Sequence, residues 1–235
     1  IWDINREAYA YDPATKTFGS GQTYAVLKDW PTDSMLMYNR ALFTEEQLEM
    51  LEGDEDGDGV ADPLTFDEFE RLCDQLIVRS GSNITQYSFL PGLAEAKVLA
   101  QFLTNAGLSW FDPNTYESTF DTPAVQEVVQ YYYDILGKNE VNNVGSTFYP
   151  LFAQGKVAMV MGGLYLVDSY GLNNLDLGIA YPPVKDENTE SKPYTTGCVG
   201  FAVSSRSKVK DAAFKFIEWY LDYYGERDAK DCNNF

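Results

Sequence analysis

The sequence predicts an α/β protein, and three observations predict it. Short runs of consecutive apolar residues alternate with stretches whose apolar residues recur at helical spacing, the pattern of a sheet covered by helices. The run around Val157 is apolar without strict alternation, as a strand buried on both faces is. Hydrophobic residues make up 45% of the 235, enough apolar mass for a sizeable core.

In chain order, Tyr24-Ala25-Val26-Leu27 and Met35-Leu36-Met37-Tyr38 are short extended candidates, followed by a Glu-rich helical turn over 45–51. Thr65-Phe66-Asp67-Glu68 is a capping box, and Phe66, Phe69, Leu72, Cys73, Leu76 and Ile77 then share one face of a helix. A strand over 84–89 precedes a helix over 93–105 that Gly107 stops. Thr122-Pro123 is an N-cap with Pro at the first helical position, and Val125, Val128, Val129, Tyr132, Ile135 and Leu136 form the buried stripe behind it. A short helix over 146–154 leads through Gly155 into a strand over 156–161. Further strands are expected at 178–180 and 199–203, with a polar, solvated loop over 185–192 before the second. The last helix, 209–220, turns Ala212, Ala213, Phe216, Ile217 and Tyr220 inward. The sheet should contain 84–89, 156–161 and 178–180, packed by the helices starting at Thr65, Leu93, Thr122 and Val209.

Composition excludes several functions. Lys and Arg number 17 against 36 Asp and Glu, a net charge of −19, so a polyanion such as nucleic acid or an anionic lipid surface would meet repulsion. No His is present, which removes His-based triads, His metal ligands and a His general base. Cys73, Cys198 and Cys232 are too far apart for a redox pair or zinc knuckle, and the longest apolar run, 157–167, is too short to span a bilayer. No signal segment precedes Ile1, and both ends read as cuts in something longer. There is no nucleophile elbow, phosphate loop or dinucleotide fingerprint. A pair of carboxylates working as glycosidase acid and base has no local signal, although carboxylates are plentiful.

One local motif points to a ligand. Asp54-Glu55-Asp56-Gly57-Asp58-Gly59-Val60-Ala61-Asp62 places carboxylates at loop positions 1, 3, 5 and 9 and glycine at position 6, the spacing with which a tight loop converges oxygens on calcium. Unneutralised carboxylates at ~6 Å repel by roughly 3 kcal/mol at an effective dielectric of 20. Position 12 is Thr65 instead of Glu, so the pattern departs from a full EF-hand loop. Two readings stand: a structural Ca2+ held by Asp54, Asp56, Asp58, the Val60 carbonyl and Asp62, or a solvated acidic loop.

Three segments in order carry a resemblance. The first is Gly21-Gln22-Thr23-Tyr24-Ala25-Val26 with Asp29-Trp30-Pro31-Thr32-Asp33, Met37-Tyr38-Asn39-Arg40-Ala41-Leu42-Phe43 and Pro63-Leu64-Thr65-Phe66-Asp67-Glu68-Phe69. The second is Phe152-Ala153-Gln154-Gly155-Lys156-Val157-Ala158-Met159 followed by Gly162-Gly163-Leu164-Tyr165. The third is Gly197-Cys198-Val199-Gly200-Phe201-Ala202-Val203 with Ala212-Ala213-Phe214-Lys215-Phe216-Ile217. Together they resemble the extracellular solute-binding proteins of sugar-importing ABC transporters, the maltose-binding protein group.

The resemblance implies a periplasmic-binding-protein-like lobe, three layers α/β/α. It is mainly the second lobe (29–194), with first-lobe remnants at 1–28 and 195–235. It implies a monomeric receptor, extracellular or periplasmic and lipid-anchored, that delivers an oligosaccharide to an ABC permease. The alternative is a carbohydrate-active enzyme or a calcium-dependent glycan-adhesion module. A pyranose offers an apolar C–H face to a ring and hydroxyls to polar groups. Tyr165 stands where the family typically has a stacking Trp. Trp30 and Asp33 lie at the lobe crossover, Phe89 ends a strand, and Gly197 would let backbone approach the sugar.

Overall fold

The N-terminal residues form a helix, α1 (Trp2–Tyr9), and then a small antiparallel meander, in which β1 (Ala10–Asp12) lies between β2 (Thr17–Phe18) and β3 (Gln22–Thr23). Gly21 turns into β3 with φ +80°, and a Cβ there would stand 2.7 Å from the Tyr11 carbonyl, so no other residue fits. Buried Asn5 ties α1 to β4 (Val26–Asp29): its Oδ1 accepts from Leu27 N at 2.6 Å and its Nδ2 donates to the Ala25 carbonyl. The structure is a computed structural model. It describes residues 2–29, 34–54, 57–92, 95–112, 114–115, 117–144, 148–163, 166–169, 171–192 and 199–231, with backbone alone at 2, 4, 29, 95, 143, 168, 173 and 224–231.

β5 (Met35–Asn39) follows, then α2 (Glu45–Glu52) and α3 (Phe66–Leu76). Thr44 and Thr65 each start their helix with a reciprocal capping box, closed by Gln47 and Glu68 respectively. Phe66, Phe69, Leu72, Cys73 and Leu76 form the buried face of α3, as the spacing predicts. β6 (Val78–Ser80) and β7 (Asn83–Leu90) make a hairpin, then come α4 (Glu95–Thr104), α5 (Pro123–Lys138) and α6 (Phe148–Ala153). Pro123 opens α5 as expected, but Thr122 makes no side-chain cap; its hydroxyl donates to the Thr119 carbonyl instead. β8 (Val157–Gly162), α7 (Leu166–Ser169) and β9 (Leu177–Ala180) follow, and β10 (Val199–Phe201) and α8 (Lys210–Asp231) end the chain.

These elements divide into two compact units, Ile1–Pro31 with Gly197–Phe235, and Thr32–Thr196. The larger holds a five-stranded sheet in the order β6-β7-β8-β5-β9. β7 and β8 run parallel, with Tyr87 opposite Val157 and Leu90 opposite Val160, and the other neighbours are antiparallel. All six residues of β8 are buried, because the central strand is covered on both faces. Phe69 packs edge-on against Phe89, Phe66 stacks on Tyr131 at 4.7 Å, and Phe102 joins both groups. Buried Asn139 closes α5 onto β7: its Oδ1 accepts from Ser88 N, Ser88 Oγ and Phe89 N.

Two expectations about the last helix are corrected. The helix beginning near Val209 belongs to the other unit, beside β4 and its antiparallel partner β10, and not to the five-stranded sheet. On that helix Ile217 is buried, yet Ala212 is exposed and Phe216 is 54% exposed. Helical spacing identifies a stripe; it does not say whether anything covers it. The 185–192 loop is polar but tethered. Asn105, fully buried, donates to the Pro182 and Pro183 carbonyls and to Ser191 Oγ, and accepts from Lys192 N at 2.9 Å.

Candidate functional site

The strand register defines the site. Met35 lies opposite Gly162, Leu36 opposite Ala180, and Leu90 opposite Val160. The carboxyl ends of β7, β8 and β9 and the amino end of β5 therefore share one edge of the larger unit. Ligands of open α/β sheets bind outside the carboxyl ends of strands, where the backbone turns away and leaves a crevice.

Ser34, Gly92, Gly163 and Tyr181 are described residues at this edge. Ser34 is 1% exposed, and its hydroxyl is the buried side-chain atom that lacks a hydrogen-bond partner among the described residues. Such a group is satisfied by an ordered water or by a ligand. Tyr181 follows β9 and is partly exposed, a ring directly beside the strand ends. The strongest charge cluster of β5 stands at its other end. There Tyr38 Oη donates to Glu52 Oε1 at 2.6 Å and Arg40 Nε donates to the same oxygen at 2.8 Å. Burial, then the hydrogen bond to Glu52, pushes the Tyr38 hydroxyl up to about 12. Gly178 is required beside it, since a Cβ would overlap the Tyr38 ring.

Of the sequence-predicted contacts, Trp30, Asp33, Tyr165 and Gly197 lie outside the described residues. The described neighbours of two of them, Ser34 after Asp33 and Gly163 before Leu164-Tyr165, stand at the strand-end edge. Phe89 is corrected. Its ring is fully buried within the core, edge-on to Phe69 at 5.3 Å, so it presents no face to a sugar. Ser88, Phe89 and Leu90 are all buried, so this end of β7 is covered on both faces and proximity to a strand end exposes neither. Sequence reading did not single out Ser34 or Tyr181. A polar residue directly before a buried strand is the signal that could have singled out Ser34.

The acidic loop is wound around its first carboxylate. Asp54 Oδ1 accepts from Gly57 N at 2.8 Å and Asp58 N at 3.0 Å, and Asp54 Oδ2 accepts from Gly59 N at 2.8 Å. Asp58 Oδ1 accepts from Val60 N, and Asp62 N donates to the Gly53 carbonyl, closing the loop. Gly57 and Gly59 have φ +75° and +87°, the left-handed conformation a tight loop of this kind demands. Among the described residues, no three His, Cys, Asp or Glu side chains converge as a metal site; Asp56, the middle proposed ligand, lies outside them.

A groove of about 540 Å³ beside α3 is lined by Thr65, Asp67, Glu68, Glu70, Arg71, Asp74 and Glu187. It has no aromatic wall, so it offers a pyranose nothing to stack on.

A sequence profile of the family described as bacterial extracellular solute-binding protein matches residues 7–223. The chain belongs to that family. Its members are ligand-binding receptors, and the family is by its description extracellular. A sequence search of curated proteins finds no match. Among solved structures, the maltose/maltodextrin-binding domain MalE of Bdellovibrio bacteriovorus, bound to maltotriose, is 18% identical with a TM-score of 0.65. It covers 94% of this chain, which spans 53% of that one. An ABC substrate-binding protein of Listeria monocytogenes in complex with cycloalternan is 20% identical, with a TM-score of 0.66, over 93% of this chain and 52% of its own. The GacH receptor of Streptomyces glaucescens, studied with acarbose, is 20% identical, with a TM-score of 0.63, over 93% of this chain and 53% of its own. These similarities establish a shared fold with other solute-binding proteins. The chain spans about half the length of the solved relatives it matches.

Proposed function

We infer that this solute-binding family member is a carbohydrate receptor that captures an oligosaccharide outside the cytoplasmic membrane for an ABC importer. The carrying observation is the family match across 7–223, joined to a fold shared with proteins solved with maltotriose, cycloalternan and acarbose. Abundant aromatics supply rings on which a sugar can stack. Lipid anchoring at the cell surface and a monomeric state belong to the same proposal. Its contacts are Tyr165 as the stacking ring, Asp33 and Trp30 as polar and aromatic partners, and Gly197 as a close backbone approach. Calcium at the Asp54–Asp62 loop is a separate, structural proposal.

A thermal-shift screen of neutral oligosaccharides, with the sugar recovered afterwards, tests the reading. A receptor gains melting temperature with one class of glycan and returns it intact. Hydrolysis of the recovered sugar would move the protein to the carbohydrate-active enzymes.

A further inference from the structure

We propose that Tyr149 is a positioning residue for the sugar site, acting as a wedge that sets where the backbone leaves β7 and β8; this rests on the carbohydrate reading. Tyr149 lies on α6 and is 7% exposed. Its hydroxyl reaches the carboxyl ends of the parallel pair and donates to the Met161 carbonyl at a long 3.5 Å. Two glycines make room for it. A Cβ on Gly162 would overlap Tyr149 Oη, and a Cβ on Gly92 would stand 2.6 Å from Oη and 2.7 Å from Cζ. Neither glycine has the positive φ that would otherwise explain it. The space that two side chains would take is filled by one phenol.

The consequence is functional because of where the wedge sits. Gly92 is the second residue after β7, and Gly162 ends β8 one residue before Gly163 and the 164–165 segment. A phenol held between them fixes the ends of two strands at the edge where ligands of such sheets bind. Site geometry tolerates little error, and a misplaced contact is felt in affinity before the fold is lost.

The geometry makes an asymmetric prediction. At Gly162 the Cβ meets only the hydroxyl oxygen of Tyr149 closely. Its next neighbours are Met37 Cε at 3.0 Å and Leu166 Cδ1 at 3.2 Å, both ends of flexible side chains. Removing the hydroxyl therefore frees Gly162 for a methyl group. At Gly92 the ring carbon and the Met161 carbonyl, itself 2.7 Å from the Cβ, remain in the way.

The test is titration calorimetry and thermal melting of wild type, Gly162→Ala, Gly92→Ala, Tyr149→Phe and the two Tyr149→Phe double variants. The probe is whichever of maltotriose, mannotriose and acarbose wild type binds most tightly. Gly162→Ala should weaken binding about tenfold, the change that about 1.4 kcal/mol makes. Tyr149→Phe alone should lose less. Combining the two should restore affinity, whereas Tyr149→Phe should fail to rescue Gly92→Ala. If the variants change melting temperature while affinity stays at the wild-type value, or if Gly162→Ala is not rescued, the positioning role is overturned. Wild type that binds none of the three and nothing in the neutral-oligosaccharide screen overturns the carbohydrate reading instead, and that failure is visible before any variant is made.

Discussion

At the scale of single residues, burial decides which groups titrate and which can meet a ligand. Cys73 is fully buried, and desolvation pushes its thiol up to about 12 from a usual 9.0; Tyr38 is pushed to about 12 from 10.0 by burial and by its bond to Glu52. Both groups are held neutral by the fold. Their contribution is complete below the unfolded values and is lost as pH rises through the folded ones. Melting temperature should thus fall between about pH 9 and 12. In Cys73→Ala the fall should be shallower, although the cavity lowers the neutral-pH value. An unchanged alkaline slope would contradict this account of Cys73. With Tyr165 proposed as the stacking ring, Tyr165→Ala should cost roughly 1–3 kcal/mol of glycan affinity, as loss of an aromatic anchor does. Affinity equal to wild type would remove Tyr165 from the site.

At the scale of elements, sequence was informative where local chemistry decides the outcome. The Thr65 box, Pro123 at the start of α5 and the apolar run of β8 all form where local signals place them. α1, the β1–β3 meander and the short strand β6 carry too few residues for periodicity to register, so pattern did not reveal them. Phe89 was misread because a strand-end position does not say whether both faces of the strand are covered there. Tyr149 was invisible because its partners, Gly92 and Gly162, lie far from it in the sequence or across a strand. The Asp54–Asp62 loop is the element whose ligand is most directly measurable. If calcium binds the folded form alone, a hundredfold excess over Kd should add about 2.7 kcal/mol of stability. A melting temperature indifferent to calcium and to chelator would leave a solvated acidic loop, its Asp54 carboxylate occupied by backbone N–H groups alone.

At the scale of the whole molecule, the account joins a mixed sheet, a ligand edge made by its strand ends, and membership of a family of extracellular receptors. Net charge −19 disfavours an anionic ligand, and the lack of His leaves any acid–base role to other side chains. Isothermal titration with a panel of neutral oligosaccharides, each recovered and analysed afterwards, tests the proposed receptor role most directly. The expected result is saturable one-to-one binding of one class of glycan, with the sugar returned unchanged. Heats no larger than dilution across neutral oligosaccharides, or a shortened sugar in the recovered solution, would contradict it.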